Sequence, residues 1–231
     1  MKKLLLLALW GICSLCQAGT GYHVTFVNET DLPLTIEFHH KDGWYENDFG
    51  QAHTIQPHQQ IELYTENKAK GPGVVGVRVS SGQYEGSQIE VWQNFRGSAK
   101  PPFQSTHSIQ TAQTYYLRSL DMGGILEHNV GTNNPDIITK IRGTEDGFFN
   151  TAYATVIFPR FAAAASCEKF RVNGNIASGY CYNSGPLIER RYVEVDTAQC
   201  SARYGDKFNI DNVDGVLTCI PQKPPIGGAH R

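Results

Sequence analysis

Apolar side chains recur at every second position in short runs along the first half of the chain, and nothing else in the sequence constrains the fold as strongly. Tyr22, Val24 and Phe26 share one face, with His23 and Thr25 on the other; Leu34, Ile36 and Phe38 repeat the pattern. Ile61 and Leu63, then Val75, Val77 and Val79, then Ile89 and Val91 continue it. A two-residue period places alternate side chains on opposite faces of a strand, so each run predicts a half-buried strand. Turn-forming clusters separate the runs: Lys41-Asp42-Gly43, Lys70-Gly71-Pro72-Gly73, Ser80-Ser81-Gly82 and Arg96-Gly97-Ser98. This spacing predicts a β-sandwich over 19–120. Only 18% of the 231 residues are charged, while Gly (23), Tyr (11) and Phe (11) are well represented, which also favours an all-β chain. A formal net charge of −2 supplies no basic face for phosphates, which removes the case for nucleic acid as a partner.

Residues 1–18 read as an address. Lys2 and Lys3 precede an apolar stretch from Leu4 to Leu15, and Cys16-Gln17-Ala18 ends in a small residue. Twelve residues are too few to span a bilayer, which takes about 20, so the stretch predicts a secretory signal peptide cleaved after Ala18 and no transmembrane anchor. The expected location is the periplasm or the extracellular space. Cleavage leaves four cysteines, Cys167, Cys181, Cys200 and Cys219, all in the last third. An even number in an exported chain predicts disulfides, and four cysteines allow three pairings. These four contain no Cys-x-x-Cys to suggest zinc.

Residues 121–160 mix loop-like clusters (Met122-Gly123-Gly124, Gly131-Thr132-Asn133-Asn134-Pro135, Gly143-Thr144-Glu145-Asp146-Gly147) with two short apolar runs, Ile137 to Ile141 and Ala152 to Phe158. They are expected to be a connecting region with short strands. A small module over 161–222 follows, and the Pro- and Gly-rich residues 223–231 form a flexible tail.

The module opens Ser166-Cys167-Glu168-Lys169-Phe170-Arg171-Val172-Asn173-Gly174, returns through Ile176 to Tyr182, and continues with the strand Tyr192-Val193-Glu194-Val195-Asp196. Asn212-Val213-Asp214-Gly215 is a turn leading into Val216-Leu217-Thr218-Cys219. Ser-Cys opening a hairpin, a second Cys fourteen residues on, a Val-x-Val-Asp strand and the Asn-Val-Asp-Gly turn together resemble one repeat of the cyanovirin-N homology family, small mannose-binding lectins. The resemblance covers about a quarter of the chain. It implies the pairings Cys167–Cys181 and Cys200–Cys219. It also implies a carbohydrate site built from Ser166, Tyr182, Asn183, Ser184, Asn212, Asp214 and Gly215. The family combines two repeats and this chain shows one, so a second molecule or the N-terminal region is expected to complete it. Residues 201–209 read as an insertion, and Ala162 to Ala165 stand where the family has polar residues.

The resulting expectation is an exported, non-catalytic lectin for mannose-type glycans that needs no cofactor. One weak site would gain avidity from a homodimer or from repeated glycan ends. No nucleophile elbow, His-Glu-x-x-His or phosphate loop argues for an enzyme. The competing reading is a β-sandwich that binds lipid or a membrane surface, with the C-terminal module a structural staple. It rests on the aromatic set Trp44, Tyr45, Phe49, Trp92 and Phe95, and on an opening, Val24 to Thr30, that looks distantly like aegerolysin-type sandwiches. His39, His40, Asp42, Asp48, His53 and His58 match no closed metal motif and read as solvated loop residues. Asn28-Glu29-Thr30 is a formal glycosylation sequon.

Overall fold

In the computed structural model, which describes residues 20–68, 72–96, 109, 111–119, 124–144, 151–184 and 188–222, the alternating runs become two facing sheets. The expected signal peptide and flexible tail lie outside the described residues. Ten strands come first: β1 (Gly21–Asn28), β2 (Leu34–Asp42), β3 (His53–Ile55), β4 (Gln60–Glu66), β5 (Gly73–Ser81), β6 (Gln88–Arg96), β7 (Thr111–Ser119), β8 (Gly124–Thr132), β9 (Ile138–Thr144) and β10 (Thr151–Phe158). One sheet has the order β4-β1-β10-β9 and the other β3-β2-β5-β6-β8-β7. Both contribute to a single core in which Tyr22, Val24, Phe26, Ala154 and Val156 of the first meet Leu34, Ile36, Val77, Val91 and Val130 of the second. The chain is all-β, a sandwich followed by a smaller disulfide-bonded unit.

Residues 121–160 are not a connector. β10 lies parallel to β1 in the centre of its sheet, and β8 lies between β6 and β7. The sandwich therefore extends to Phe158 and not to residue 120. The register explains the fit: Tyr22 pairs with Ala152, Val24 with Ala154 and Phe26 with Val156, so large residues on β1 stand beside small ones on β10. Phe158 closes the end of the core, with its ring centroid 6.5 Å from Phe26 and 5.5 Å from Tyr84. The sequon residue Asn28 is fully buried, and its Nδ2 donates to the carbonyls of Leu32 (2.8 Å), Ile55 (3.0 Å) and Gln56 (3.2 Å). That amide holds the loop after β1, which leaves it no room to carry a glycan.

A polar tie crosses the core. Tyr22 OH donates to the carbonyl of Trp92 at 3.1 Å, and His128 Nδ1 stands 2.6 Å from the same oxygen. The imidazole makes this contact in its neutral form, and its tautomer sets which of the two atoms donates. Burial pushes the His128 pKa down from 6.5 to about 4. Above pH 6.5 neither state binds the proton. Between 6.5 and 4 the unfolded chain binds it and the native chain does not, so stability falls as the pH falls, by about 1.4 kcal/mol per pH unit and about 3 kcal/mol in all. His128→Asn keeps a neutral hydrogen-bonding side chain and should remove this contribution. Urea unfolding at pH 7 and pH 4.5 should show a smaller acid loss in the variant, and equal losses in the two proteins would refute the assignment.

The second unit comprises α1 (Ala163–Ser166), β11 (Cys167–Asn173), β12 (Ile176–Tyr182), β13 (Arg190–Asp196), α2 (Thr197–Tyr204), β14 (Phe208–Val213) and β15 (Val216–Pro221). β11-β12-β13 form an antiparallel sheet, and β14-β15 a hairpin. The stretch read as an insertion after Cys200 contains the second turn of α2. Asp196 caps that helix, its carboxylate accepting from the Ala198 amide at 2.8 Å. Cys200 on α2 bonds Cys219 on β15, and Cys167 bonds Cys181 across the β11–β12 pair. The unit has its own core of Phe161, Ala163, Ala177, Ile210, Leu217 and the cysteines. It joins the sandwich through Pro159-Arg160, where Arg160 Nε meets Asp31 at 2.8 Å.

Candidate functional site

Asp214 and Gly215 have φ of 53° and 83°, two successive left-handed residues that suit the tight turn joining β14 to β15. The φ of 83° is what favours glycine at the second position. The loop after β12 packs directly on this turn: a Cβ on Gly215 would make ordinary contact, at 3.4 Å, with the backbone nitrogen of Asn183. Four hydrogen bonds build the junction. Asn212 Nδ2 donates to the Tyr182 carbonyl (3.0 Å), and Asn212 Oδ1 accepts from the Gly215 amide (2.8 Å). Asp214 Oδ1 accepts from both the amide (2.8 Å) and the hydroxyl (2.9 Å) of Ser184.

Six of the residues anticipated from sequence, Tyr182, Asn183, Ser184, Asn212, Asp214 and Gly215, thus share one junction between the hairpin tip and the β12 loop. Ser166 does not join it by any hydrogen bond among the described residues. Its hydroxyl turns back to the Ala163 carbonyl at 3.5 Å.

The junction divides its polar groups between structure and surface. Asn212 spends both ends of its amide on the protein, and Asn183 Oδ1 accepts from the Glu189 amide at 2.8 Å. Among the described residues, Asp214 Oδ2 and Asn183 Nδ2 have no protein partner, and Asp214 is exposed. The two hydrogen bonds from Ser184, aided by the Arg191 guanidinium, hold the Asp214 carboxyl below the usual aspartate pKa. On one junction, a carboxylate oxygen that accepts and an amide that donates can together meet neighbouring hydroxyls, which is the chemistry that holds a neutral polyol.

Sequence reading missed the neighbours on the outer face of the three-stranded sheet. Tyr182 OH donates to Glu168, whose other oxygen takes Arg190 Nη1 at 2.8 Å. This hydrogen bond to Glu168 raises the Tyr182 pKa. These three residues lie on different strands, and only the pairing of Glu168 with Tyr180 and of Tyr182 with Arg190 brings them together. The alternation of each strand was the available signal, but it carries no register.

The other sequence signals fall elsewhere. Trp44, Phe49 and Trp92 are buried in the sandwich, so the aromatic set that motivated lipid binding is mainly core; Tyr45 remains exposed, and the Phe95 side chain lies outside the described residues. His39 and His40 are not in a loop. They lie on β2, half-buried, with His40 Nε2 3.4 Å from the buried Glu90, because β2 continues to Asp42. Among the described residues no group of three or more His, Cys, Asp or Glu is placed to hold a metal ion, and no helix is long and apolar enough to cross a membrane. No protein-family model matches this chain, and no curated protein matches it.

Proposed function

We propose that this is an exported, non-catalytic carbohydrate-binding protein that takes mannose-type glycans at the junction of the β14–β15 turn with the loop after β12. The observation that supports the reading most is the Ser184–Asp214 clip, which fixes one carboxylate oxygen of an exposed aspartate and leaves the other without a protein partner among the described residues. Vicinal hydroxyls would bridge Asp214 Oδ2 and Asn183 Nδ2, with Asn212 positioning the turn and Tyr182 bordering the site. The resemblance to a cyanovirin-N repeat implies a sugar at the same turn, and the unit's own core offers a way for a single repeat to stand without a second.

A glycan array probed with the mature, oxidised protein should give mannose-type signal. Asp214→Asn is the informative variant: asparagine tolerates positive φ and still accepts from Ser184, yet loses the charge. It should weaken binding by about tenfold or more, since a hydrogen bond to a charged group contributes about 1.5–3 kcal/mol. Unchanged binding in the folded variant would sink the site assignment. Because the Asp214 carboxyl is held low, the carboxylate persists in mild acid, and binding should be as strong at pH 4.5 as at pH 7. Loss of binding by pH 5 in protein that remains folded would contradict it.

A further inference from the structure

On the outer face of the β11-β12-β13 sheet, Lys169, Arg171, Tyr180 and Tyr192 line an open cavity of about 440 Å³. Pockets that hold small ligands run to roughly 300–1,000 Å³, so there is room for a short saccharide. The walls are built, not incidental. Tyr180 and Tyr192 pair across β12 and β13 with ring centroids 5.2 Å apart, edge to face. Arg190 lies over the Tyr180 ring at 4.6 Å, and the Tyr192 hydroxyl is fixed by a 2.7 Å bond to Glu194. These contacts hold both rings while leaving Tyr192 about half exposed (48%).

The cations are set differently from their neighbours. β11 carries a bulge between Glu168 and Arg171, and Lys169 within it takes φ of 53°, a left-handed backbone that a lysine seldom adopts. A bulge re-aims side chains, and strained conformations of this kind concentrate at functional sites. Here it sets Lys169 on the rim of the same cavity as Arg171. Arg190 is neutralised by Glu168 and Arg191 by Glu189. Among the described residues, Lys169 and Arg171 have no ion-pair or hydrogen-bond partner. Two cations without a partner beside the exposed Tyr192 ring form a site for a ring that carries a negative group: the apolar face of a pyranose stacks on Tyr192 while its anionic substituent meets Lys169 and Arg171.

We infer that this cavity is a second saccharide site, separate from the Asp214 junction, and that it binds acidic sugars bearing a carboxylate or sulfate. The inference does not depend on the neutral-glycan reading, because it uses none of the junction's groups.

Isothermal titration of the oxidised mature protein with tetragalacturonate, a heparin-derived octasaccharide, mannotriose and sodium sulfate tests it. One or both acidic oligosaccharides should bind, and which one does separates carboxylate from sulfate. Lys169→Asn, which suits the left-handed backbone, and Arg171→Gln should each weaken that binding about tenfold, as expected for loss of one charge-assisted contact. Tyr192→Ala should weaken it severalfold, and Asp214→Asn should leave it unchanged. Three results would overturn the proposal: no binding of either acidic oligosaccharide, binding unaffected in Lys169→Asn and Arg171→Gln, or Tyr192→Ala behaving as wild type, which would leave only non-specific attraction of charge. Failure of mannotriose alone would count against the Asp214 junction and not against this cavity.

Discussion

A chain cut after Leu120 should not fold, whereas one that continues to Arg160 should. The shorter fragment contains every strand that alternates clearly in the sequence, yet it lacks β8, β9 and β10. Without β10, β1 loses its parallel neighbour, and the first sheet shrinks to the β1–β4 pair. Without β8, β6 loses a neighbour on one side, and β7 has no partner in its sheet. The core loses Val130, Ile137, Ala152, Ala154, Val156 and Phe158, all at 2% exposure or less. Truncating a single buried Phe to Ala costs about 3–5 kcal/mol, and a whole domain is stable by only about 5–15 kcal/mol, so deletion of six such residues exceeds what the remainder supplies. The longer fragment retains the whole sandwich core, whose last member is Phe158. Near-UV circular dichroism and urea titration distinguish the two. A cooperative transition in the shorter fragment would mean that β8–β10 are dispensable, contrary to their place in the sheets.

That expectation also marks where the sequence was legible. β1, β2, β4, β5 and β6 have one face on the core, and a half-buried strand shows its period of two directly. β8 does not. From Leu126 to Thr132 every residue is buried, including Glu127, His128 and Asn129, so no alternation remains and its Gly and Asn residues read as loop. α2 carried local signals at both ends, the Asp196 cap and Gly205 with φ of 65°, but eight residues between two strands are too short for helical periodicity to show. At the candidate site the Asn-Val-Asp-Gly turn was readable because its chemistry is local. The contact of Ser184 with Asp214 spans thirty residues of sequence, and the cavity over Lys169 and Arg171 depends on register and a bulge, neither of which residue types alone encode.

Removing both cystines should unfold the C-terminal unit and leave the sandwich intact. The unit spans about sixty residues, a size at which a single apolar core is marginal. Its core is correspondingly thin, with Phe161, Ala163, Ala177, Ile210 and Leu217 packed around the cysteines themselves. Cys167–Cys181 and Cys200–Cys219 close loops with separations of 14 and 19 residues. In the chain-entropy account each contributes about 3 kcal/mol, and the two together match the stability expected of so small a unit. The sandwich core draws on no residue beyond Phe158 and should not respond.

The reporters separate cleanly. From residue 19 onward the sequence has only Trp44 and Trp92, both in the sandwich, so tryptophan emission of a protein starting there follows that half alone. The near-UV contribution of the edge-to-face Tyr180–Tyr192 pair follows the other. In the variant with all four cysteines replaced by alanine, emission should keep its wild-type urea midpoint while the part of the tyrosine signal that comes from the Tyr180–Tyr192 pair is lost in buffer. Loss of the unit also separates Ser184 from Asp214 and dissolves the bulge that places Lys169, so mannose-type and acidic saccharide binding should vanish together. Retention of either binding in that variant would show that the cystines are not what holds these sites in place.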